Sequence, residues 1–271
     1  MITFRDKQLR RRFRYGLRLA FLGNEETNAL TRPLAGSYQI DLDKIRKWYE
    51  RCKMEHVCCY RTSQSSSWGW NCGQDTETFI FRVIDVATSQ VVLAPPACRY
   101  IALRSYVWGK ISPFKLNNAN IIVSENNSSL DAEPYTQLHR QSLPRTIQDA
   151  IFVVQEIGER YLWVDSLCII QDDLNDFRAN IHNMGRIFSA AEVTIIAASG
   201  RDADSGLPGL YPGIRHLEPI TGSIESIRLA EIEAPLALET TVWSTRGWTY
   251  QEYQLSTRTL IFTNQRVYYQ C

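Results

Sequence analysis

Between Pro144 and Ser199 the hydrophobic period of the chain switches repeatedly, and this alternation limits what it can fold into. Ile147, Ala150, Ile151, Val154 and Ile157 recur at helical spacing. Pro144 suits the first turn of that helix, and Gly158 stands where its C-terminal cap belongs. Residues 161–170 come next as an almost unbroken apolar run and read as a buried strand. Phe177, Ile181, Met184, Ile187 and Phe188 then return to the helical period behind Asp176, a candidate N-cap, and 192–199 is strand-like again. With Tyr100–Leu103 as an earlier strand, the order predicts an α/β fold on a mostly parallel sheet flanked by helices.

Extra strands are expected around that core. Residues 79–85 and 90–93 read as a pair joined by a short turn, and 259–263 with 266–270 as a C-terminal hairpin about Asn264 and Gln265. Ile121–Val123 is a further strand candidate. Asp41 or Asp43 can cap a helix in which Ile45, Trp48, Tyr49 and Cys52 share a face. Residues 61–78 are loop-like, as are 200–222, and a helix is expected from Arg246 to Leu255.

Within the apolar run stands one carboxylate, Asp165, and the run ends in Gln171, Asp172 and Asp173. A charge inside a buried strand is costly unless paired, so Asp165 requires a partner. Arg246 is one candidate and backbone or tryptophan N–H groups are the other; the first predicts that Arg246 and Glu252 lie beside Asp165.

Composition narrows the function classes. In 271 residues, 44% are hydrophobic and 22% charged, which supports a sizeable core. A net charge of +1 gives no general attraction to nucleic acid, and no apolar run is long enough to span a membrane. Seven cysteines, unevenly spaced and without a secretory leader, point to reduced thiols in a cytoplasmic setting. Three regions are expected: a poorly ordered basic segment over 1–37, a helical lead-in and flexible loop over 38–78, and the main domain over 79–271. The stop at Cys271, just after strand-like residues, suggests a truncated product.

In parallel sheets ligands sit beyond the carboxyl ends of the strands. Three polar-aromatic clusters are expected there: Ser105–Gly109, Gln171–Asp173, and Arg246–Trp248 with Gln251 and Glu252. Cys52, His56 and Cys59 offer soft ligands for zinc, with Cys58 and Cys72 nearby, but their spacing matches no usual zinc finger. Cys168 lies inside an apolar run, where a thiol is inert. Neither common glycine-rich phosphate loop occurs.

These clusters coincide with a family pattern. Tyr100-Ile-Ala-Leu-Arg-Ser-Tyr-Val-Trp-Gly109, Leu143-Pro-Arg-Thr-Ile-Gln-Asp-Ala-Ile151 with Arg160 through Asp173, and Arg246-Gly-Trp-Thr-Tyr-Gln-Glu252 with Leu255, Ser256 and Arg258 after it form three ordered blocks. Together they resemble the fungal heterokaryon-incompatibility (HET) domain over roughly residues 80–271. The matching positions are Ser105, Tyr106, Trp108, Gly109, Trp163, Asp165, Cys168, Gln171, Asp172, Arg246, Gly247, Trp248, Gln251 and Glu252.

The resemblance implies a cytoplasmic effector of self/non-self recognition that triggers cell death and acts through other proteins, by self-association or with an incompatibility partner. It implies no cofactor. HET domains are also distantly similar to TIR domains, which have a flavodoxin-like sheet. Some TIR domains cleave NAD with a glutamate on the helix after their third strand. The family pattern there is Asp-Trp-x-x-Glu, whereas this chain has Asp176-Phe177-Arg178-Ala179-Asn180. Asparagine supplies no carboxylate base, so intact TIR-type catalysis is not expected. The alternative is an NAD glycohydrolase that uses Asp165, Asp172 or Glu252 instead. A second departure is Arg104, an extra residue in the first block, which would reverse the facing of the residues after it unless a bulge absorbs it.

Overall fold

A computed structural model of the protein describes residues 18–21, 40–55, 80–104, 115–120, 136–200, 202–211, 221–224, 227–232, 255–264 and 267–271. At its centre four strands run parallel: β4 (Tyr100–Arg104), β6 (Tyr161–Trp163), β7 (Val193–Ala197) and β10 (Thr259–Phe262). Antiparallel strands extend them on both sides. The hairpin β2 (Arg82–Asp85) and β3 (Gln90–Leu93) joins β6 and carries β5 (Thr136–Gln137), while β11 (Val267–Gln270) folds back on β10. The full order is β11-β10-β7-β4-β6-β2-β3-β5.

The expected mostly parallel sheet is therefore corrected to a mixed one, with four of its seven pairings antiparallel. The reason is local. A short turn closes β2–β3, and only residues 263–266 separate β10 from β11 in sequence, whereas parallel neighbours need long crossovers. Arg104 continues the β4 ladder in register, opposite Ile196, so no bulge interrupts β4 through that residue. A second sheet of three strands has β9 (Ile227–Ile232) between β1 (Arg18–Phe21) and β8 (Thr221–Ile224). Strand β1 falls within the basic N-terminal segment.

The helices obey the periodicity where it is strongest. Ile45, Tyr49 and Cys52 of α1 (Leu42–Glu55) are buried, as are Ile147, Ala150, Ile151, Val153 and Val154 of α2 (Arg145–Glu156). Pro144 is the N-cap of α2, and Gly158 lies just past its C-terminus with φ +84°. Two expectations need correction. The strand expected over 161–170 stops at Trp163, and Asp165–Cys168 is a short helix, α3. The single helix expected over 177–188 is two, α4 (Leu174–His182) and α5 (Met184–Ala190), broken at Asn183. Asp173, not Asp176, caps α4, accepting from the amides of Asn175 and Asp176.

A row of alternating charges lines the N-terminal ends of the parallel strands. Arg258, Glu192, Arg99 and Glu159 stand one or two residues ahead of β10, β7, β4 and β6. Arg258 Nη1 lies 3.3 Å from Glu192 Oε2, Glu192 Oε1 lies 3.3 Å from Arg99 Nε, and Arg99 Nη2 donates to Glu159 Oε1 at 2.7 Å. Arg160 and Asp85 repeat the pattern at the β6–β2 junction, 2.7 Å apart. Burial works to raise the Asp85 carboxyl, but bonds from Arg160 and from the Ala87 and Thr88 amides hold it below the usual carboxylate range.

Helix α1 covers this row. Tyr49 donates to Glu159 Oε1 at 2.6 Å, and the Cys52 thiol accepts from Arg258 Nε at 3.2 Å. Burial, then the bond to Glu159, pushes the Tyr49 phenol well above its ordinary value.

The Arg258 side chain is 5% exposed and that of Arg99 48%. Arg258→Ala leaves Glu192 and Cys52 without their shared cation and is expected to cost about 3 kcal/mol of unfolding free energy. Arg99→Ala, at a half-exposed position, is expected to cost about 1 kcal/mol. Urea titrations monitored by circular dichroism measure both, and equal losses would show that burial does not set the cost.

Candidate functional site

With charges closing one end of the parallel strands, the loops at the other end are where a site can form. Of the three polar-aromatic clusters expected there, the structure describes one. Ser105, Tyr106, Trp108 and Gly109 lie outside the described residues, as do Arg246, Gly247, Trp248, Gln251 and Glu252. The expected placement of Arg246 and Glu252 beside Asp165 also falls outside them.

The described cluster begins where β6 ends. Trp163 is fully buried and meets Phe188 of α5 edge to face, at 5.5 Å between ring centroids. Asp165 opens α3 and is only half-buried, because it has left the strand. Its carboxylate accepts from the Ser166 amide at 2.7 Å, the stabilising arrangement for an acid in a helix's first turn. The buried mid-strand carboxylate expected from the apolar run is thus corrected to a half-exposed acid at a strand-to-helix turn.

Gln171 locks this turn by donating from Nε2 to the carbonyls of Asp165 (3.0 Å) and Ile169 (2.9 Å). Its own amide donates to Leu116 O, and the Leu116 amide to Ser166 O, so 115–120 runs alongside the turn. Asp172 is exposed and accepts from the Asn118 amide at 2.9 Å. Of the acids proposed for chemistry, Asp165 and Asp172 therefore stand on one turn and are reachable from solvent.

Cys168 is fully buried, and its sulfur accepts from the Val164 amide at 3.3 Å. Burial pushes its thiol up to about 12, a state that disfavours the nucleophilic thiolate. Cys52, the one member of the proposed zinc set described, faces Arg258, while His56 and Cys59 lie outside the described residues. Among the described residues no group of three His, Cys, Asp or Glu side chains is placed to hold a metal ion.

Asn180 is completely buried in α4. Its Nδ2 donates to Asp176 O at 2.9 Å, one turn back in the same helix, while its Oδ1 has no hydrogen-bond partner among the described residues. Asp176 itself binds Arg82 Nη1 of β2 at 2.9 Å and the Ile170 amide at 2.8 Å. It ties the sheet, the turn and α4 together, a role that its spacing in sequence does not reveal.

A second loop is fixed by the first turn of α2. The Arg145 amide donates to Asp204 Oδ1 and the Thr146 amide to Ala203 O, which satisfies helix-terminal donors that Pro144 cannot cap through a side chain. The Gly206 amide donates to Thr146 Oγ1 and the Leu207 amide to Asp149 Oδ2, at 3.1 and 2.7 Å. Asp149 is fully buried, and its carboxyl is raised by that burial despite Arg145 at 3.0 Å. Gly206 has φ +70°, and a Cβ there would stand 2.7 Å from Asp149 Oδ2. Arg145, Thr146 and Asp149 are legible in sequence as a block but not as an anchor, since their partners lie more than fifty residues downstream.

The geometry defines a mixed α/β domain in which the described polar residues of the motif blocks, such as Gln171, Asp172 and Asp149, brace loops. The family model of the heterokaryon incompatibility protein (HET) matches residues 100–252, more than half of the chain, and the chain belongs to that family. No curated protein and no solved structure matches it.

Two measurements test these assignments. In the native protein iodoacetamide is expected to label the exposed Cys271 quickly and Cys168 only after unfolding, read by peptide mass mapping. Comparable rates at both would refute the inert thiol. Gly158→Ala adds a Cβ into open space at positive φ and is expected to cost about 1 kcal/mol. Gly206→Ala adds a clash with Asp149 as well and is expected to cost about 3 kcal/mol by urea titration.

Proposed function

We propose that this HET-family chain is a signalling or effector module of fungal self/non-self recognition, which promotes cell death by assembling with other proteins and without TIR-type catalysis. The observation that carries this reading is Asn180. The residue in the place of the expected glutamate is an amide, is completely buried, and spends its donor on its own helix. An amide cannot take a proton as a base or stabilise a cationic transition state as a carboxylate would.

The arrangement of the central strands adds support for a distant likeness to TIR and flavodoxin-like sheets. Their order β6-β4-β7-β10 reverses direction at β4, as in doubly wound sheets, where ligands occupy the crevice at the reversal. Half-exposed Asp165 and exposed Asp172 lie on a turn at that edge, yet both already accept backbone amides. This favours a bracing role for them over an acid-base pair. Among the described residues no helix is long and apolar enough to cross a membrane.

Controlled expression of the chain in a fungal cell is expected to arrest growth and kill, and Asp165→Asn, Asp172→Asn and Glu252→Gln variants that fold are expected to kill as well. Purified chain incubated with NAD is expected to leave it intact by liquid chromatography. Turnover by the unaltered chain, lost in one of those variants, would overturn the reading in favour of an NAD glycohydrolase. An Asn180→Glu variant reports separately whether the position can support cleavage at all.

A further inference from the structure

Helix α4 is turned inside out. Its buried residue is Asn180, and Asp176 and the terminal Asn183 also face the protein, whereas Leu174 is 69% exposed and Phe177 38%. Ile181, half-buried, continues the line at the spacing i, i+3, i+7. An exposed row of large apolar side chains on a helix that buries an amide is the reverse of what folding alone favours. The next helix behaves normally and buries Ile187 and Phe188.

The charges around the row specify what fits it. Asp172 and Asp173 lie at the N-terminal end of α4, and exposed Arg178 and His182, with half-buried Arg186, toward the C-terminal end and beyond. Two copies of α4 set antiparallel about a two-fold axis would oppose Leu174 to Ile181. They would also bring the acidic end of each to the basic end of the other and oppose the helix dipoles favourably.

From this self-complementarity we infer that α4 is a contact surface for a second copy of the chain. Three side chains fall well short of the roughly 800 Å² per partner that stable pairs bury, so the pairing is weak and operates where chains are concentrated. The surface supplies an interface for the assembly proposed above but stands on α4 alone. A mass measurement and a killing assay can therefore fail independently.

Sedimentation velocity of the full chain, from low to high micromolar concentration, is expected to show a weight-average mass rising toward two chains. Leu174→Asp with Phe177→Asp is expected to hold it at one chain throughout, with the folded circular-dichroism spectrum retained. His182→Glu, which sets an acid against Asp173 of the other copy, is expected to weaken association about tenfold. A wild-type mass that stays at one chain overturns the inference, as does a double variant that associates equally well. Oxidative footprinting of Phe177 in dilute solution gives the remaining outcome. Protection there would mean that the chain's own residues cover the row, which also overturns it.

Discussion

The parallel core depends on the charge row at its N-terminal edge. Neighbouring strands lie about 5 Å apart, so the side chains preceding them are forced into close company. Like charges in such a row would repel in a half-buried setting, and removing them would leave the strand ends without fixed partners. Arg258, Glu192, Arg99 and Glu159 solve this by alternating in sign, each central member bound on both sides. Tyr49 and Cys52 then bring α1 onto the same groups, so the lead-in helix is held by the polarity of the sheet as well as by its own apolar face.

The opposite edge is held by different means. There the loops are irregular, and buried irregular backbone must find hydrogen bonds outside a ladder. Side chains supply them. Gln171 serves two carbonyls, Asp176 an amide and a guanidinium, Asp149 an amide in the loop beyond β7, and Asp173 two amides of α4. The described polar side chains of this edge are thus largely committed to backbone.

Legibility in the sequence tracks the strength of the local signal. The apolar face of α2 and the terminal hairpin can be read because their periods are long and uninterrupted. The strand before Asp165 reads too long, since an apolar run cannot show where a strand gives way to a helical turn when both are buried. Asp165 with Ser166 after it is the available cue, being polar residues suited to a helix start. Likewise, helical spacing carried through Asn183 hides the break between α4 and α5. The same spacing places Phe177 in a core that it does not enter, because periodicity identifies a face but not which side of the helix meets the protein.

By itself the sequence determined the strongly periodic elements, the α/β class and the family, because these rest on local periodicity and on ordered motifs. Only the tertiary structure decided which charges meet. Along the chain Arg99, Glu159, Glu192 and Arg258 read plus, minus, minus, plus, which suggests no pairing. The crossover that places β7 on the far side of β4 from β6 reorders them to plus, minus, plus, minus across the sheet. Strand order is a property of the assembled sheet, and the electrostatic row exists only after that order is set.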